Sequence, residues 1–194
     1  MSLGNDPHPV VHYYALKGLA QVIDAANLSY SPYIATTLGM LCTLYLRDSH
    51  DPDGGTTHTS NLAGDLPAYE VVCQIIDAII GVLGPELQEP SRTQSLVLDL
   101  VHEFSTEPNE GIAVEAIKCS QHVLMFASSF VDTPALVDRL RANLVSTRRP
   151  LKLAAINALY QLVQKDALVM SKVGGDKLVE DLFGMLDDDP TIDG

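Results

Sequence analysis

Apolar side chains return every third or fourth residue along nearly the whole of this sequence, and no stretch alternates apolar with polar as a half-buried strand would. Leu16, Leu19 and Ile23, with Ala15 and Val22 beside them, predict a helix over residues 9 to 26. Ser31-Pro32 offers a cap and a first-turn proline for a second, which carries Ile34, Leu38, Leu41 and Tyr45. Val72, Ile76, Ile79 and Leu83 mark a third, stopped by Gly84-Pro85. Ser91 and Gln94 have the spacing of a capping box ahead of Leu96, Leu100 and Phe104. Asn109 caps the next stripe, through Ala113, Ile117 and Leu124. Asp132-Thr133-Pro134 and Pro150 open two more helices, and Gly174-Gly175-Asp176 precedes the last. Trp is absent and aromatics are only 6%, so the core must come from Leu, Val, Ile and Ala, which favours packed helices over a sandwich. The chain reads as all-α, with eight helices.

Those helices fall into four antiparallel pairs, at residues 9–47, 67–106, 110–147 and 150–188. The last three pairs start at Pro67, Gly111 and Pro150, about 40 residues apart, which is the length of a HEAT or armadillo unit. Asp48 to Leu66, containing Asp51-Pro52-Asp53-Gly54-Gly55, has no periodic apolar positions and reads as a long loop 48–66 inside the first pair's interval. The expected architecture is therefore a HEAT/armadillo-like α-solenoid forming one array over residues 9–189. Met1-Ser2-Leu3 looks like an expression scar, residues 1–8 read as an unstructured start and 190–194 as a tail, and the parent polypeptide is expected to be longer at both ends. A short array leaves unburied end faces, here Val10, Val11 and Leu16 against Leu178, Leu182 and Phe183, and these invite artificial dimers of the isolated fragment.

Twelve Lys and Arg against 25 Asp and Glu give a net charge of −13, which excludes nucleic acid as the default partner. Cys42, Cys73 and Cys119 lie far apart in apolar stretches with no paired spacing, as expected of small hydrophobes in a reducing, intracellular compartment. The start of the chain lacks a basic stretch followed by an apolar core, and its apolar runs are short, so neither a signal peptide nor membrane insertion is expected. Ile75, Ile76, Ile79 and Ile80, beside Glu70 and Asp77, read as one side of a core helix. The P-loop, dinucleotide, nucleophile-elbow and zincin signatures are missing, so the expectation is no enzyme and no cofactor. Asp48, His50, Asp51, Asp53 and His58 come nearest to a metal set, and a solvated loop is the preferred reading. His102 and His122 read as surface or groove-edge histidines.

Charge is the unevenly distributed property. Residues 139–165 hold six bases and no acids, whereas residues 1–138 hold four bases and 17 acids. Arg139, Arg141, Arg148, Arg149 and Lys152 flank one turn, and a ridge of them would suit an acidic peptide or a phosphate group. The competing reading has these arginines paired with acids of adjacent repeats, such as Asp187, Asp188 and Asp189 from the following helix end.

Several stretches carry a resemblance beyond the bare period. Val11-His12-Tyr13-Tyr14-Ala15-Leu16-Lys17-Gly18-Leu19, Asp24-Ala25-Ala26-Asn27-Leu28-Ser29, Val82-Leu83-Gly84-Pro85-Glu86-Leu87, Val123-Leu124-Met125-Phe126-Ala127, Leu162-Val163-Gln164-Lys165-Asp166 and Phe183-Gly184-Met185-Leu186-Asp187-Asp188 follow one another in an order and spacing that resembles the large HEAT-repeat-containing protein 5 family. Fungal members of that family are accessory proteins of a clathrin adaptor. The resemblance implies an internal piece of a long cytoplasmic solenoid that scaffolds adaptor complex one and its accessory subunits at the trans-Golgi network and endosomes, with no catalytic residues. It carries over no binding residues, and the 48–66 loop is longer and more polar than the family pattern. A generic armadillo-like transport-receptor or peptide-binding module is the alternative, and a metal-dependent enzyme a more distant one.

Overall fold

A computed structural model describes residues 8–49 and 67–188. Every regular element among the described residues is helical, so the expected all-α class holds. The chain divides after Ala127 into two compact units.

The first unit is built around α3 (Ala68–Leu83), which packs between α1 (Pro9–Ala26) and α5 (Glu110–Phe126), while α2 (Ile34–Ser49) and α4 (Arg92–Thr106) touch each other and α3. Periodicity explains the placement. His12, Leu16, Ala20 and Ile23 form the buried stripe of α1, whereas α3 buries Val71, Val72, Ile75, Ile76, Ile79 and Ile80 among others, as a helix covered on both sides must. Gly84 ends α3 in the left-handed region at φ +48, and its N–H donates to the Ile80 carbonyl; a side chain there would be strained. Asn109 caps α5 by accepting the Ile112 N–H at 3.2 Å.

Two local expectations change. Ser31 does not cap α2: the chain runs through a 3-10 turn at Asn27–Tyr33, with Pro32 inside it, directly into Ile34. Tyr30 and Thr37 share a buried 2.8 Å hydroxyl contact, and Thr37 Oγ1 donates to the Tyr33 carbonyl, tying turn to helix without a serine cap. The capping box at α4 is half a box. Ser91 Oγ accepts the Gln94 N–H at 3.0 Å, but the Gln94 side chain turns away and donates to the Leu87 carbonyl, closing the 3-10 turn Gly84–Gln88 instead.

The second unit holds α6 (Thr133–Leu144), α7 (Arg149–Lys165), α8 (Ala167–Val173) and α9 (Gly175–Asp188). Helix α6 packs on α7 and α9, and α8 lies against all three. Leu136, Val137, Leu140, Leu144, Ala155, Leu159 and Leu162 fill the middle with Met170, Leu178 and Met185. Asp132 caps α6 through the Ala135 N–H at 3.1 Å, as its place before Thr133-Pro134 predicts. Where the sequence suggests one helix between Pro150 and Gly174, there are two. Asp166 accepts the Val169 N–H at 2.9 Å and its own N–H donates to the Leu162 carbonyl, so this one residue ends α7 and begins α8.

Helix α2 runs to Ser49, so Asp48 belongs to it; the rest of the expected loop lies outside the described residues, as do residues 1–7 and the tail. Of the expected end-face residues, Leu16 and Leu178 are buried within their own units, whereas Val10, Val11 and Phe183 are exposed.

Candidate functional site

The five basic residues singled out from the sequence all fall in the second unit, on two helices with different surroundings. Arg139 and Arg141 lie on α6. Burial lowers the Arg139 guanidinium below its ordinary value. Arg141 Nε donates to Asp181 Oδ2 on α9 at 2.6 Å, with a longer 3.5 Å contact to Asp138 one turn back. This arginine is a structural cation, tied to an acid of a neighbouring helix. The side chains of Asp187 and Asp188, and all of Asp189, lie outside the described residues. Arg148 and Arg149, both exposed, stand at the start of α7, and half-buried Lys152 follows one turn later. The basic segment thus separates into an internal part on α6 and an outward part at the head of α7.

A second polar feature, in the first unit, escapes a reading of the sequence. Asp24 on α1, Asp77 on α3 and His122 on α5 belong to three helices packed in the order α1, α3, α5. His122 Nδ1 lies 2.8 Å from Asp77 Oδ1, and the pair bridges α3 to α5. The Asp77 hydrogen bond, with the charges of Asp77 and Asp24, raises the imidazole above its ordinary value despite partial burial. Two turns earlier on α5 Glu115 accepts from Lys118 Nζ at 2.8 Å and from Gln74 Nε2 at 3.3 Å. Lys17, Gln21, Asp24, Gln74, Asp77 and Lys118 line a shallow recess of about 300 Å³ there. No sequence spacing marks these three residues: they are 53 and 45 positions apart, and only the packing of α3 against α1 and α5 gathers them. Glu70 extends the same polar edge, and burial, then the Glu115 charge, pushes its carboxyl up.

His122 is a groove-edge histidine, as expected, and His102 is exposed. Cys73 and Cys119 are buried at the contact of α3 with α5, and Cys42 is half-buried; burial raises all three thiols. Cys119 Sγ lies 3.6 Å from the Cys73 carbonyl. Asp48, His50, Asp51, Asp53 and His58, the nearest thing to a metal set in the sequence, lie outside the described side chains. Among the described residues no group of three or more His, Cys, Asp or Glu is arranged to hold a metal ion. The stretch Ala68–Gln88 is long and apolar enough to cross a bilayer, yet most of it is buried inside the first unit, as the core-helix reading of its isoleucines requires.

Fold and surface together define a helical protein with charged, solvent-facing edges and an isoleucine-rich core. No protein-family model matches the sequence, and no solved structure matches it. The chain is 26% identical over 176 residues, or 91% of its length, to Protein SWEETIE of Arabidopsis thaliana. It spans 7% of that protein.

Proposed function

We propose that this chain is a stretch of α-solenoid, four antiparallel helix pairs long, that serves as a non-enzymatic protein-interaction scaffold. The observation that carries the reading is the seating of α3 between α1 and α5. In stacked helical repeats each first helix lies on the first helix of the next unit, as α1, α3 and α5 do within the first unit, and the starts of α3, α5 and α7 at Ala68, Glu110 and Arg149 keep a spacing of about 40 residues. Similarity confined to 7% of a much longer relative suits a segment of a repeat array. A rigid stack presents side chains at fixed separations, so a partner that docks does not have to order the scaffold.

The resemblance to the HEAT-repeat-containing protein 5 family gives this scaffold a setting: clathrin adaptor complex one or its accessory subunits as partners, in the cytoplasm, peripheral to the trans-Golgi network and endosomes. The experiment is affinity capture with the full-length parent protein and, in parallel, with the same protein lacking residues 9–189, followed by quantitative mass spectrometry. Loss of adaptor or accessory subunits on deletion is the expected result. An unchanged set of partners from a folded deletion protein overturns the docking role and leaves the segment as a spacer.

A further inference from the structure

The exposed side of α7 differs from every other solvent-facing helix surface of the second unit in carrying no charge over three turns. From Leu153 to Gln164 the sequence contains no Asp, Glu, Lys or Arg. Arg149, Leu153, Ile156, Tyr160 and Val163 recur at three-and-four spacing, which puts them on one stripe. Leu153 is 41% exposed, Tyr160 65% and Val163 40%, although the opposite side of the same helix buries Leu151, Ala155, Ala158, Leu159 and Leu162. A surface helix usually spends this side on charge, and α9 does so: its exposed Val179 and Phe183 are interleaved with exposed Asp176 and Glu180. The head of the α7 stripe bears exposed Arg149, within the segment that has six bases and no acids.

We propose that this side of α7 is the seat of an amphipathic helix from a partner protein, its apolar residues on Leu153, Tyr160 and Val163 and its acidic residues opposite Arg149. The proposal rests on the scaffold reading and gives it a partner class. Two observations select a helix over a lipid surface. Asn157 and Gln164 share the exposed arc with the apolar stripe, and their amides would lose hydrogen bonds in hydrocarbon, whereas a neighbouring helix can return them. Moreover, α7 is anchored by its inner side to the unit core, so it presents a shaped ledge and cannot sink into a bilayer. The local basic charge in a chain of −13 sets the sign of the partner.

The test uses the whole chain and a synthetic peptide matched to the 17 residues of α7, with Leu at three-and-four spacing and Glu elsewhere, followed by fluorescence anisotropy. A scrambled peptide of the same composition and a Leu/Lys counterpart are the controls. The expected result is binding of the acidic amphipathic peptide alone, weakened by salt and weakened at least about tenfold by Leu153→Ser with Tyr160→Ser. Both substituted side chains are exposed, so helicity by circular dichroism should not change. Equal binding of the scrambled peptide overturns the proposal, as does wild-type affinity in the double variant or a loss transferred to Phe183→Ser. Stronger, α7-dependent binding to phosphatidylserine vesicles overturns it in favour of a membrane. If Arg149→Glu abolishes peptide binding while the apolar pair does not matter, the helical seat falls and an acidic-partner scaffold stands. If the peptide fails to bind at all, the seat falls, and adaptor capture by the parent protein decides the scaffold separately.

Discussion

At the scale of single residues, the His122–Asp77 contact gives the first unit a pH-dependent stability of defined sign. The folded-state value of His122 is raised above its unfolded value, chiefly by the Asp77 hydrogen bond. Its contribution is therefore complete below the unfolded value of about 6.5 and is lost as pH rises through the higher folded value. Because the imidazole is substantially exposed, solvent screening holds the effect below about 1 kcal/mol. Thermal denaturation of wild type against His122→Gln should show a gap that narrows as pH rises above about 6.5; a gap independent of pH would mean that the ring acts by packing alone. Gly111 makes a second residue-scale case. A Cβ there would collide with the carboxyl of Glu70 and approach its Cγ to 2.8 Å, so the flexible Glu70 side chain must swing out as a whole. Helix propensity then decides, and Gly111→Ala should raise stability by up to about 1 kcal/mol in denaturant titrations. His12 is less easily rationalised: it is buried with neither ring nitrogen hydrogen-bonded, and nothing in the structure explains why the position is a histidine.

At the scale of elements, the caps separate what a sequence can declare from what only packing reveals. Ser91, Asn109 and Asp132 are legible because a cap and its amide are three residues apart. Asp166 was equally local, yet it was hidden by apolar spacing that runs on past Lys165, so α7 and α8 read as one. The Gln94 amide chose Leu87 over its box partner because a buried carbonyl at the end of the 3-10 turn needed a donor, and a spacing rule holds no such information. Helix α8 is seven residues long and cannot persist without its flanking constraints. Asp166→Ala should cost about 1 kcal/mol and raise amide exchange selectively through Ala167–Val173. Uniform protection changes would contradict the double-cap role. Helix α3 stands at the other extreme. Ile79 is wholly buried, and Ile79→Ala should destabilise by about 2–5 kcal/mol by calorimetry, far more than any exposed substitution on α9.

At the scale of the whole molecule, composition and period established the helical class, while long-range chemistry stayed out of sight. The count of bases in residues 139–165 could not tell Arg141, tied to Asp181 forty residues on, from Arg149, which faces water. The Asp77–His122 pair was likewise invisible, since 45 residues of chain lie between its members and only the stacking of α3 on α5 brings them together. The excess of acids has its own measurable result. With a calculated isoelectric point near 4.6, the protein should be least soluble at about that pH and most dispersed near neutrality, by light scattering across a pH series.

The burial of α3 also has a consequence in time. A ribosome delivers Ala68–Leu83 before the helix that covers its far side has been made, because α5 is complete only at Phe126. At about 5–20 residues per second, that leaves an isoleucine-rich surface without its cover for a few seconds in each round of synthesis. During that interval a stretch apolar enough to cross a bilayer competes with its own future neighbour for whatever binds greasy nascent chains. The central helix that holds the first unit together is thus made well before the neighbour that keeps it from water.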